Sequence, residues 1–183
     1  MALPRAHQQA FTPREIEFLA GHEEITVIPT HRMPRLDLIE ESYGPFRPPL
    51  KAKVPLWLAL MMKKNNRCHI LAPEWLSTES LSRRLQEEEQ ESEFSALPFH
   101  YMEIAQMLLE TAPDDIPDAE EIRRLLKDLR ETRQSKARLG LSALDHKWLG
   151  VNNLSLMEIN EIRPFFTKAF LEMRKLSETA GRP

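Results

Sequence analysis

The most informative stretch of the sequence is residues 117–139, PDAEEIRRLLKDLRETRQSKARL. Ile122, Leu125, Leu126 and Leu129 recur at the spacing of three and four residues that places side chains on one face of an α-helix. Acidic residues cluster at the start of the stretch and basic residues near its end, as the helix dipole favours. The stretch therefore predicts a long amphipathic helix, and with it a mainly α fold.

Further helices are predicted on both sides of this one. They are expected at 55–65, from a cap at Ser77 or Thr78 to about Ser92, from Pro98 to Pro113, and from Asn153 or Ser155 onward. The last of them is expected to be interrupted near Pro164, because proline removes a backbone donor and clashes with the preceding turn. Residues 54–178 are thus predicted to form a helical-bundle domain, with a truncated or flexible tail at 179–183.

The N-terminal part of the chain has a different character. Eight of the 14 prolines lie at or before Pro55, which makes long helices improbable there. Thr12 to Glu15 forms a capping-box pattern that predicts one short helix ending at Gly21. Residues 25–28 favour a strand, and residues 36–39 favour a second one. We predict a small α/β domain over residues 1–53 that leans on the helical domain.

Composition excludes several classes of protein. The chain has 183 residues, a net charge of −3 and a single cysteine, Cys68. An internal disulfide, a Cys-rich zinc site and a dedicated duplex-binding surface are therefore not expected. The five glycines are too dispersed for a phosphate-binding loop, and no nucleophile elbow is present. We expect an intracellular, non-catalytic protein without cofactor or metal.

Two segments contain more apolar residues than one buried helix face requires. The last helical segment is apolar on more than one face, and so is the segment around Trp57. One interpretation is a central core helix of a monomer; the other is a helix shared with a second subunit. On the second interpretation the interface candidates are Trp57, Leu58, Met61, Leu154, Met157, Ile159, Ile162, Phe165, Phe166 and Phe170.

Basic residues near the end of the long helix leave another function open. Arg130, Arg133 and Lys136 are candidates for nucleic-acid contact, in which case the chain would act as a monomeric nucleic-acid-binding adaptor. Such residues are more often a solvated face with helical salt-bridge partners. Glu88, in the acidic run at 87–91, is expected on the surface, where replacement by alanine is harmless.

Several segments resemble a known family. The sequences VPLWLA at 54–59, CHILAPEWL at 68–76 and NLSLMEIN at 153–160 are similar to the second Psf subunit of the eukaryotic GINS complex, with details that resemble fungal members. The segments AFTPREIEFL at 10–19 and 122–133 share the resemblance, which covers nearly the whole chain in the same order.

The resemblance implies a small β-rich domain followed by a larger helical domain. It also implies a nuclear scaffold that joins three sister subunits, Sld-five and the first and third Psf proteins, in a heterotetramer. This assembly would join Cdc-forty-five and the Mcm two-to-seven ring, which holds the ATPase motor, in the replicative helicase.

The N-terminal part is the expected site of contact with these helicase partners. Its candidates are Arg32, Arg35, Tyr43 and Arg47, together with Glu40 and Glu41, since irregular segments held by a scaffold commonly carry recognition. The alternative is that this part merely covers the end of its own bundle.

Overall fold

Six α-helices and five short strands make up the described part of the chain. The computed structural model describes residues 10–39, 41–142 and 152–180, without the side chains of 140–142, 169–170 and 172–180. The helices are α1 (Pro13–Ala20), α2 (Leu56–Lys64), α3 (Thr78–Gln90), α4 (Tyr101–Thr111), α5 (Ala119–Ser142) and α6 (Leu156–Ala180). The strands are β1 (Glu24–Pro29), β2 (Leu36–Asp37), β3 (Ser42–Tyr43), β4 (Ala52–Pro55) and β5 (Cys68–Ile70). The prediction of a mainly α fold preceded by a small β-containing unit is confirmed.

Local capping chemistry sets the helix starts. Thr12 and Glu15 form the predicted capping box of α1: the Thr12 amide donates to the Glu15 carboxylate at 2.7 Å, and the Glu15 amide donates to the Thr12 hydroxyl at 3.4 Å. The Ser77 hydroxyl accepts from the Ser80 amide at 3.2 Å and begins α3. These starts were predictable because their signals lie within four residues of sequence.

Helix α6 continues through Pro164, so the predicted interruption is wrong. The proline removes one donor, the N–H that would have bonded to the Asn160 carbonyl, and the helical ladder resumes beyond it. The Thr167 hydroxyl donates to the Arg163 carbonyl at 2.9 Å within the same turn. A single missing backbone hydrogen bond does not end a helix that other contacts hold.

A three-stranded antiparallel sheet spans the predicted domain boundary. Its order is β4-β1-β5, with Val27 opposite both Ala52 and Ile70. β1 buries alternate residues, Ile25, Val27 and Pro29, as a strand packed on one face should. Strands β4 and β5 were not predicted, and because they flank α2, a division of the chain at residue 53 cuts through the sheet.

The remaining strands form a hairpin beside the sheet. β2 and β3 pair Leu36 with Tyr43 and Asp37 with Ser42. The predicted strand at 36–39 is therefore correct only for its first two residues. An isolated bridge pairs Met33 with Phe46, which is buried in the core. This bridge anchors the open end of the hairpin to the body of the protein.

One hydrophobic core joins the sheet, α2, α4 and α5, and α3 packs along α5. The 3-10 turn at Pro113–Asp115 ties the sheet to the helices. The Asp115 carboxylate accepts from the Ile70 amide at 2.7 Å and lies 2.8 Å from the Lys63 ammonium nitrogen. Asp114 pairs with the same ammonium at 2.7 Å. The small unit and the helical body are thus held together by charge as well as by apolar contact.

Candidate interaction surfaces and a buried ion cluster

Arg133 lies at the centre of a buried ion cluster between α3, α5 and α6. Its side chain is fully buried, and Nε and Nη2 donate to the two oxygens of Glu158 at 2.7 and 3.0 Å. Nη1 donates to Glu88 at 3.0 Å and to the Ser95 carbonyl at 3.1 Å, and Nη2 also donates to the Asn153 carbonyl at 2.7 Å. Every N–H group of the guanidinium therefore has an acceptor.

Lys136 adds a second cation to the same cluster. Its ammonium nitrogen lies 2.8 Å from Glu88 and donates to the carbonyls of Glu91 and Glu93, both at 2.9 Å. The two cations balance the two carboxylates of Glu88 and Glu158. Here the end of α3 and the residues that follow it cover this part of α5.

Two sets of hydrogen bonds hold the Glu158 carboxylate beside Arg133. Ser155 and Glu158 form the capping box of α6: the Ser155 amide donates to Glu158 at 2.8 Å, and the Glu158 amide donates to the Ser155 hydroxyl at 3.3 Å. The buried Tyr101 hydroxyl also donates to Glu158, at 3.2 Å. The carboxylate that caps α6 is the one that neutralises Arg133.

The environment shifts the pKa values of this cluster. Burial alone would raise the pKa of the Glu158 carboxyl, but hydrogen bonds and charge from Arg133 outweigh it and lower that pKa. Burial would also raise the pKa of the Glu88 carboxyl. Hydrogen bonds from Lys136 and Ser95 outweigh the effect of burial, so the pKa of Glu88 is lowered as well. Both glutamates are therefore held as carboxylates.

The cluster corrects two predictions. Arg133 is not available to nucleic acid, and Lys136 is mostly buried and engaged, because α3 and the segment after it cover this end of α5. Arg130 is partly exposed but pairs with Glu161. Glu88 is buried rather than on the surface, so the expectation that its removal is harmless loses its basis.

The interface candidates on α2 divide between two faces. Leu58 is fully buried in the chain's own core, and Leu154 is also buried, so both belong to the fold rather than to a free surface. Trp57 and Met61 lie one helical turn apart, on the side of α2 away from the buried Ala59, and are 40% and 50% exposed. Spacing did not separate these faces because α2 is apolar on both.

The described candidates on α6 range from exposed to half-buried. Phe165 is 54% exposed and forms an edge-to-face contact with the half-buried Phe166 at 6.4 Å between ring centroids. Met157, Ile159 and Ile162 are half-buried. The side chain of Phe170 lies outside the described residues. The start of α6 is held by Glu158 and Ser155, whereas its middle presents aromatic rings.

An apolar cleft near α2 includes residues that were not predicted. It has a volume of about 510 Å³, and Phe18, Leu38, Ile39, Trp57, Leu60 and Met107 provide its apolar lining. Phe18 is 69% exposed on the face of α1 opposite the buried Ile16. The sequence contained a sign of this exposure. Ile16 and Ala20 are the buried residues of α1, and Phe18 lies between them in sequence and so on the other face of the helix.

The candidates for helicase contact lie on the hairpin and its open end. Arg32, Arg35 and Arg47 are exposed and Tyr43 is half-buried. Arg35 pairs with Asp37 at 3.2 Å, and the Tyr43 hydroxyl donates to Glu41 at 3.2 Å. Arg32 and Arg47 both line a cleft of about 490 Å³ with Met33, Pro34, Pro45 and Phe46. Glu40 lies outside the described residues.

Glu103 is a buried carboxyl group in α4 without a hydrogen-bond partner. Both carboxyl oxygens lack one, within the part of the chain that the structure describes. Burial is the main cause of its raised pKa, and the nearby charges of Glu158 and Glu17 add to it.

The described ranges hold neither a metal-binding cluster nor a membrane-spanning helix. Between residues 10 and 180, with the gaps given above, no group of three or more His, Cys, Asp or Glu side chains is arranged to hold a metal ion. Nor is any of the described helices long and apolar enough to cross a membrane.

Comparison with known proteins found two matching family models. Residues 12–71 match the PSF2 N-terminal domain, and residues 75–176 match the GINS complex protein helical bundle domain. The two matches meet in the short segment between β5 and α3.

Curated proteins are similar over nearly the whole chain. The DNA replication complex GINS protein psf2 of Schizosaccharomyces pombe is 46% identical over 180 residues, 98% of this chain and 98% of that protein. The PSF2 protein of Candida albicans is 40% identical over 98% of this chain and 89% of its own length. The human PSF2 protein is 40% identical over 88% of this chain and 90% of its own length.

Proposed function

Since the chain belongs to the PSF2 family of GINS proteins, we propose that it is a non-catalytic scaffold subunit of a GINS heterotetramer in the nucleus. Its sister subunits would be Sld-five and the first and third Psf proteins. The assembly would join Cdc-forty-five and the Mcm ring in the replicative helicase during initiation and elongation of DNA replication.

The exposed apolar side chains on α1, α2 and α6 carry this proposal. Phe18, Trp57 and Met61 are one exposed set on α1 and α2, and Phe165 and Leu171 are another on α6. Large apolar side chains grouped on a surface are typical of protein interfaces. Sister subunits that cover both groups would bury them, which explains why the chain carries more apolar faces than its own core uses.

Assembly of the four subunits tests the scaffold role. We expect Trp57→Asp and Phe165→Asp to lower the yield of the co-expressed tetramer strongly, because a charge buried in an interface without a partner costs several kcal/mol. Since both side chains are about half exposed, the thermal unfolding of the isolated chain should change little.

Matched controls lie on the same two helices. Lys64→Asp on α2 and Lys168→Asp on α6 change exposed residues and should leave the yield unchanged. Equal tetramer yield from all four variants would remove this assignment of the interface.

The second part of the proposal assigns contact with the helicase partners to the hairpin. Combined alanine substitution of Tyr43 and Arg47 should leave the tetramer intact but weaken its capture by the Mcm ring and Cdc-forty-five in a pull-down. Unchanged capture, or a tetramer that falls apart, would contradict this division of labour.

The nucleic-acid adaptor is not retained as a second candidate. It depended on Arg130, Arg133 and Lys136, and all three are engaged in ion pairs within the chain.

A further inference from the structure

We propose that the cleft between Arg32 and Arg47 is a binding site for an acidic peptide segment of a partner protein. This inference extends the proposed contact with helicase partners. It rests on that proposed function only for the identity of the protein that carries the acidic segment. The chemistry of the site is argued from the hairpin itself.

The backbone pairing brings the two arginines to the same end of the hairpin. β2 and β3 pair Leu36 with Tyr43, and the Met33–Phe46 bridge continues the same register toward the open end of the hairpin. Met33 and Phe46 exchange both backbone hydrogen bonds, at 3.1 and 3.0 Å. Arg32 and Arg47 lie one residue beyond this isolated bridge, on its two sides, and both line the same cleft.

This arrangement is unfavourable for the chain alone. Two like charges that line the same cleft repel each other. Among residues 10–39, 41–142 and 152–180, neither guanidinium has an ion-pair or hydrogen-bond partner, and no acidic side chain lines the cleft. Of the described acids on the hairpin, Asp37 pairs with Arg35 and Glu41 accepts a hydrogen bond from Tyr43. The described residues therefore supply no counter-charge to the two guanidinium groups, and a ligand would supply it.

The cleft is also held in shape before any ligand arrives. Pro34 and Pro45 fix the backbone on its two sides, and Phe46 is buried in the core beneath it. A guanidinium presents a planar fork of donors that matches the two oxygens of a carboxylate. Two such forks over a rigid floor fit one or two carboxylates, and Met33 offers apolar contact between them.

A peptide is favoured over nucleic acid for reasons of charge. Affinity for a phosphate backbone depends on several cation–phosphate contacts, whereas this cleft offers two arginines on a chain with a net charge of −3. A short run of Asp and Glu needs no more than these two contacts.

Fluorescence anisotropy of a labelled Asp/Glu-rich peptide with the full chain tests the site. Binding at low salt should be weakened about tenfold or more by Arg32→Glu together with Arg47→Glu, since charge reversal replaces attraction by repulsion. The reversed cleft should in turn bind a Lys-rich peptide of the same length better than the native chain does.

Two controls make the result specific. Arg83→Glu with Lys127→Glu changes the net charge by the same amount on helices α3 and α5 and should leave peptide binding unchanged. The tetramer yield of the Arg32/Arg47 variant should equal that of the native chain, so failure here is distinguishable from failure of the scaffold proposal.

Three outcomes would overturn the inference. The first is equal peptide binding by the cleft variant and the native chain. The second is an equal loss of binding in the helix-charge control, which would mean that only net charge matters. The third is tighter binding of a single-stranded oligonucleotide than of the acidic peptide at the same residues, which would assign the cleft to nucleic acid instead.

Discussion

Arg133 and the Arg32–Arg47 pair show two opposite uses of the same side chain. In the buried cluster every donor of Arg133 has an acceptor, and two cations match two carboxylates. At the open end of the hairpin, two guanidinium groups face one cleft without a carboxylate. The comparison teaches that a charge seen in sequence indicates binding only where the fold leaves it unmatched. The run of basic residues on α5 pointed to function, but its buried members serve the fold.

Removal of Arg133 should have the largest effect. Arg133→Ala leaves Glu88 and Glu158 buried with one cation between them, and breaking a buried ion pair in this way costs about 3–5 kcal/mol. Urea unfolding of the full chain, followed by circular dichroism, measures the loss. Arg130→Ala is the matched control one helical turn away and should stay within about 0.5 kcal/mol, as exposed pairs do. Equal losses from both variants would mean that the cluster contributes no more than a surface pair.

Removal of Glu88 should rank second. Glu88→Ala leaves Lys136 and part of the Arg133 guanidinium without their carboxylate, at a cost of about 2–3 kcal/mol. The exposed Glu89→Ala is its control. Because the folded-state pKa of Glu88 is lowered, its contribution is fully present above its ordinary pKa of 4.5 and is lost as the pH falls through the folded value. A difference between the two variants that does not shrink in acid would contradict the role of the ionised carboxylate.

The contrast also explains how much could be predicted from the sequence. Helix starts at Thr12 and Ser77 depend on adjacent residues, so capping patterns located them. Strands β4 and β5 pair only four and three residues with the distant strand β1, and no local pattern marks such short pieces. The order of the two units followed from the proline-rich start of the chain and the helical patterns after it, and the family resemblance implied the same order.

The buried cluster had a signal that was overlooked. Arg133 lies four residues after Leu129 and eleven after Ile122, so it continues the buried face of α5 rather than the solvated one. The capping box of Ser155 and Glu158 was visible as Ser-x-x-Glu. The pairing of Glu158 with Arg133 was not visible, because it depends on how α5 and α6 pack.

Glu103 is a buried carboxyl group that lacks, among the described residues, the neighbouring cation that Glu158 has. Since its pKa is raised, the folded chain bears no ionisation cost below its ordinary pKa of 4.5, and the cost grows as the pH rises through the folded value. Glu103→Leu should therefore stabilise the chain by about 1–2 kcal/mol at a pH above the folded-state pKa of Glu103, since an unpaired buried polar group is costly. In acid the stabilisation should be smaller. Urea unfolding at several pH values measures this, with the exposed Glu110→Leu as control. A loss of stability at high pH would show that Glu103 has a stabilising role.

The smallest expected change in stability concerns the cleft arginines. If their charges are unmatched within the chain, Arg32→Ala with Arg47→Ala removes a repulsion and no attractive contact. The free energy of unfolding should then stay within about 0.5 kcal/mol of the native value, or rise slightly. The rise should be greatest at low salt, where exposed charges interact most strongly, and should vanish as salt screens them. The matched comparison is Arg35→Ala, which removes a guanidinium paired with Asp37 and should not raise stability. Urea unfolding at two salt concentrations separates these cases. A clear loss of stability from the double substitution, largest at low salt, would mean that both arginines have partners within the chain, and the cleft would then need no outside ligand.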